Sequence, residues 1–75
     1  MLFKQHGKQL KDRRKALGIT QPHLAELADI SVNTLYKIER GQANPTLEIL
    51  YRLTDVLGLE IVFSPKPTAT ESDNL

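Results

Sequence analysis

Apolar residues recur along this chain at three- and four-residue spacing in four short runs, each closed by a residue that stops a helix. Phe3, His6 or Gly7, Leu10, Arg14 and Leu17 fall on one stripe. They predict a first helix from about residue 3 to 17, stopped by Gly18. Thr20 is placed to cap a second helix, whose buried stripe is Leu24, Leu27 and Ala28, with Ala25 small enough for a close crossing. Pro22 is tolerated in that helix's first turn, where N–H groups are spare; lacking its own N–H, it leaves the His23 amide for the Thr20 hydroxyl. Asp29-Ile30-Ser31 reads as a tight turn, and Ser31 as the cap of a third helix running through Arg40 on an inner face of Leu35 and Ile38. Gly41 stops it, and a loop with Asn-Pro turn chemistry leads to Thr46. Thr46 caps a fourth helix carrying Leu47, Leu50, Leu53, Val56 and Leu57 at helical spacing, ended by Gly58.

After Gly58 the period changes. Ile61, Val62 and Phe63 favour a strand over 59–63. A lone short strand cannot satisfy its own backbone, so it needs a partner, and the other copy of Leu59, Ile61 and Phe63 lies in a second subunit. The alternative is a segment folded back on its own fourth helix. Residues 65–75 carry two prolines and small polar side chains and are expected to be disordered. The expected layout is one domain over 1–64 and a loose tail: an all-α, four-helix unit with a short C-terminal β-strand.

Size agrees with that economy. Seventy-five residues suffice for one small domain, and the absence of cysteine removes disulfides and thiolate metal sites as staples. With 40% hydrophobic residues but only two Phe and two Tyr, the core is modest, and a partner subunit is a natural way to bury more surface. No apolar run approaches the roughly 18 residues of a membrane span, and no apolar stretch follows the basic start as in an export signal. A cytoplasmic protein is expected.

The net charge of +1 conceals an uneven distribution. Lys4, Lys8, Lys11, Arg13, Arg14 and Lys15 face a single acid, Asp12, in the first 15 residues. From 16 to 64, Lys37, Arg40 and Arg52 are outnumbered by six acids. A basic first helix on an acidic body suits an anionic surface approached from one side. Enzymatic chemistry has little to stand on. His6 and His23 lack Cys or a carboxylate pair to complete a metal site, and no nucleophile elbow or glycine-rich phosphate loop exists. No cofactor is expected, and the acids Glu26, Asp29, Glu39 and Glu48 read as caps, helix-dipole partners or ion-pair members.

Two short capped helices joined by a tight turn, after a basic helix, make the helix-turn-helix layout, in which the third helix presents polar side chains to the DNA major groove. Its projecting face here is Val32, Asn33, Tyr36, Lys37 and Arg40. Over about residues 7–58 the chain resembles the Cro/C1-type (Xre-like) helix-turn-helix regulators. The matching pieces are Gly7-x-x-Leu10-x-x-x-Arg14, Leu17-Gly18-Ile19-Thr20-Gln21 and Leu24-Ala25-Glu26-Leu27-Ala28. Beyond the turn come Ser31-x-x-Thr34-Leu35-x-x-Ile38-Glu39-Arg40-Gly41 and Asn44-Pro45-Thr46-Leu47.

That resemblance implies a lambda-repressor-like fold and a homodimeric repressor on an inverted-repeat operator. It implies base reading by Val32, Asn33, Tyr36 and Lys37, and phosphate contacts by Gln21, Arg40, Gln42, Asn44 and Lys11. The chemistry of the residues agrees: Asn pairs bidentately with adenine, Lys favours guanine acceptors, and Val meets a thymine methyl. Arg14 and Glu39 match a structural ion pair. The family usually places Gly where Asp29 stands, so this turn should hold Asp in the left-handed conformation at a cost of about 1 kcal/mol. The segment Leu59–Phe63 is similar to the dimer strand of HipB-type antitoxins, which repress their own operon and bind a HipA-type kinase toxin; by resemblance the source is bacterial. The competing reading is a protein-interaction module that kept the fold and lost DNA binding.

Overall fold

A computed structural model describes residues 3–67, and within them four helices follow one another: α1 (Phe3–Ala16), α2 (Gln21–Leu27), α3 (Val32–Glu39) and α4 (Leu47–Leu57). Three of the four starts are capped in one way. Thr20, Ser31 and Thr46 are extended, and their hydroxyls accept from the amides of His23 (3.3 Å), Thr34 (3.0 Å) and Ile49 (3.2 Å). Each cap stabilises its helix by about 1 kcal/mol.

The four ends share a motif as well. A left-handed residue donates its N–H into the last turn, and the next residue donates further back, as Gly58 to Asp55 O (3.4 Å) and Leu59 to Thr54 O (2.9 Å). The left-handed residues are Gly18, Asp29, Gly41 and Gly58, so Asp29, at φ 57°, is the one that keeps a side chain there. Ile19, Ile30 and Leu59, which follow three of them, pack against the core. Three of the four ends thus close a helix and seal the interior with the same few residues.

The core is Leu10, Leu24, Ala25, Ala28, Leu35, Ile38, Leu53 and Leu57. α3 packs on α1 and α2, and α4 closes the bundle against the same two helices. Gly7 sits where α1 crosses the end of α3. A Cβ there would collide with the Ile38 carbonyl oxygen and lie 3.0 Å from that of Glu39. Gly41, likewise, lies against the backbone of Lys4.

Several sequence expectations need correction. No strand forms among the described residues. Within the single chain Leu59–Phe63 runs without strand pairing, since strand propensity expresses packing on a pleated neighbour and the expected neighbour is a second copy. Leu59 and Ile61 are half-buried, whereas Val62 and Phe63 are 70% and 88% exposed, so the fold-back onto α4 holds only for the start of the segment. Leu27 is 53% exposed; Ala25, on the opposite flank of the Leu24–Ala28 stripe, takes the buried place expected of it. Leu17 and Leu47, at the margins of their helices, are also exposed. Most of the expected tail, residues 68–75, lies outside the described residues. An open groove of about 840 Å³ runs between α1, α4 and the chain after it, lined by Phe3, Leu10, Leu47, Leu50, Leu59 and Phe63.

Candidate nucleic-acid interface

α3 is eight residues long and is used on both faces. Leu35 and Ile38 are wholly buried, while Val32, Asn33, Tyr36 and Lys37 are exposed together with Arg40, the residue that ends the helix. The guanidinium of Arg40 lies over the Tyr36 ring, 5.2 Å from its centroid, a cation–π contact that fixes the end of this face. The four expected base-reading residues therefore share one solvent-facing surface. Gln42 and Asn44, in the loop that follows, are exposed as well.

The single acid of α3 is turned away from that surface. Glu39 is 4% exposed and is held by three donors. Arg14 gives Nε to Oε2 (2.7 Å) and Nη2 to Oε1 (3.0 Å), and Gln21 gives Nε2 to Oε1 (2.9 Å). The remaining Arg14 nitrogen donates to the Ile19 carbonyl (2.9 Å). Bidentate geometry and full satisfaction are the conditions under which a buried ion pair is tolerated, and among the described residues no buried side-chain polar atom lacks a partner. The node ties α1, the start of α2 and the end of α3 together. Gln21, half-buried, is thereby set at the first position of α2 beside α3.

The basic residues of α1 divide by role. Arg14 is internal. Arg13 donates Nε to the Leu57 carbonyl (2.9 Å) and so satisfies the end of α4, a function no local spacing announces because the two residues are far apart in the chain. Lys4, Lys8 and half-buried Lys11 lie beside Arg40 and Gln42. Lys8 donates to Asp12 (2.6 Å), and that hydrogen bond holds the Asp12 carboxyl below its ordinary pKa. The expected dimer residues Leu59, Ile61 and Phe63 belong to the apolar groove, which involves none of the α3 residues. Among the described residues there is no cluster of His, Cys, Asp and Glu able to hold a metal ion, and no helix long and apolar enough to cross a membrane.

Comparison with known proteins places this geometry. The helix-turn-helix family model matches residues 10–63. An uncharacterised HTH-type transcriptional regulator of Methanothermobacter thermautotrophicus is 35% identical over 51 residues, 68% of this chain and 74% of that protein. A candidate HTH-type transcriptional regulatory protein of Methanocaldococcus jannaschii is 38% identical over 56 residues, 75% of this chain, which spans only 18% of that relative's length. Among solved structures, the restriction-modification controller protein C.AhdI from Aeromonas hydrophila superposes with a TM-score of 0.74 at 31% identity, covering 77% of this chain and 88% of that one. The clp gene regulator ClgR from Corynebacterium glutamicum gives 0.76 at 30% identity, covering 79% and 63%. The sequence relatives are archaeal, so the expected bacterial source has no support from them.

Proposed function

We propose, from the premise that this chain belongs to the helix-turn-helix family, that it is a DNA-binding transcription regulator and acts as a homodimeric repressor on an inverted-repeat operator. The observation that carries the reading is the division of α3. Its only acid is buried and neutralised, which leaves an outer face of Val32, Asn33, Tyr36, Lys37 and Arg40 with no exposed carboxylate to repel a phosphate backbone. On this reading Val32, Asn33, Tyr36 and Lys37 meet base edges in the major groove. Arg40, Gln42, Asn44, Lys11 and the start of α2 at Gln21 meet phosphates and set the register. Occupancy of the operator then excludes transcription; the work is binding, and no catalytic step is involved.

Dimerisation is supported by the apolar groove and by the exposed Val62 and Phe63 at its end, side chains that a second copy would cover. Two subunits related by a two-fold axis would present α3 to major-groove faces about 34 Å apart. The finer reading, a HipB-type antitoxin that also binds a HipA-type kinase toxin, draws no support from the relatives, which are HTH-type transcriptional regulators. The protein would act wherever its operator is reached, in the cytoplasm.

The test is selection of bound duplexes from a random library at two salt concentrations. An enriched inverted repeat is expected. Against that site, Lys37→Ala should cost about 1–3 kcal/mol and relax preference at one base position. Uniform weakening on all sequences would make Lys37 a phosphate contact instead. No enrichment at either salt would favour a protein-interaction module on the same fold.

A further inference from the structure

The basic face of the first helix carries two lysines, Lys4 and Lys8, beside Lys11, to which the reading above gives no role. Lys4, Lys8 and Lys11 recur at four- and three-residue spacing and so share one side of α1. That side is one wall of an open trough of about 730 Å³, and Arg40 and Gln42 stand on the other. Two glycines create it. Gly7 allows α1 to lie against the last carbonyls of α3, and Gly41 allows the following loop to run against the backbone of Lys4. Glu39, at the floor, contributes no free charge because Arg14 and Gln21 occupy its oxygens. The stacking of Arg40 on Tyr36 makes the trough continuous with the outer face of α3.

We propose that this trough seats the DNA strand flanking the groove that α3 enters, with Lys4, Lys8 and Lys11 each taking a backbone phosphate and Asp12 acting as an internal competitor for Lys8. The proposal rests on the DNA-binding reading above and deepens it. An extended polyanion fits better than a single phosphate, because the three lysines are spread along about 10 Å of helix, a length over which one strand of a duplex carries about three charges.

Association constants over a salt series test it, on the selected operator and on a scrambled duplex, with far-UV circular dichroism to check each variant's fold. In Lys4→Gln/Lys8→Gln/Lys11→Gln the slope of log affinity against log salt should fall by about 2–3, since each phosphate contact contributes about 0.9. The fall should be equal on both duplexes, leave base preference unchanged, and be restored by Arg at the three positions. Asp12→Asn should steepen the parent slope by up to about 1. A Gln variant that keeps the parent slope, or a loss that Arg does not restore, overturns the trough while leaving the DNA reading intact. A parent protein with no salt-dependent duplex binding overturns both.

Discussion

At φ 57°, Asp29 holds a left-handed conformation that the other three helix ends give to glycine. A Cβ in that region costs about 1–2 kcal/mol, and the side chain makes the turn between α2 and α3 the least comfortable of the four. Asp29→Gly should therefore raise stability by about 1 kcal/mol and lift Tm by about 4–8 °C for a domain of this size. A calorimetric scan with Tm unchanged or lower would mean that the carboxylate compensates through the turn. The strain was legible in the sequence because a helix end is a local event, announced by the residues immediately around it. Arg13 was not legible. Its carbonyl partner at Leu57 comes from the last turn of α4, 44 positions along the chain, and only the assembled fold brings the two within 2.9 Å.

The elements themselves were readable for the same reason, since Thr20, Ser31 and Thr46 open helices with their own hydroxyls and Gly18, Gly41 and Gly58 close them with their own backbone dihedrals. Which leucines end up inside was less so. Leu27 and Leu47 sit on apolar stripes yet face solvent, because burial depends on the neighbour that arrives and α2 offers its small residues to the crossing instead. The strand expected at Leu59–Phe63 is not seen in the single chain on a similar ground: β-propensity describes a surface that must be supplied from outside. What joins the elements is testable at the Arg14–Glu39–Gln21 node. Glu39→Gln is nearly isosteric but leaves the Arg14 guanidinium buried and uncompensated, and should cost about 3–5 kcal/mol in urea unfolding. A loss below about 1 kcal/mol would show that water reaches the guanidinium and that the node is not sealed. By contrast, Thr46→Ala, which removes one cap hydroxyl, should cost only about 1 kcal/mol.

For the molecule as a whole, the two surfaces left outside the core are distinct. One is the charged and polar face of α3 with the lysine trough; the other is the apolar groove ending at Val62 and Phe63. The proposed division of labour, DNA on one and a second copy on the other, predicts that they can be disabled separately. Val62→Asp/Phe63→Asp alters side chains already exposed, so the fold should survive. Sedimentation should then find monomer where the parent is dimer, and affinity should fall for the full operator but not for a half-site. A variant that remains dimeric would remove this face from the assembly. The face of α3 has a different consequence. Its inner side anchors the helix through Leu35, Ile38 and Glu39, and its outer positions contribute nothing to the core. On the proposed reading, the vocabulary of the reader would be decoupled from its grammar: residues 32, 33, 36 and 37 could drift, or be rewritten by design, towards new operators while the scaffold beneath them melts at the same temperature.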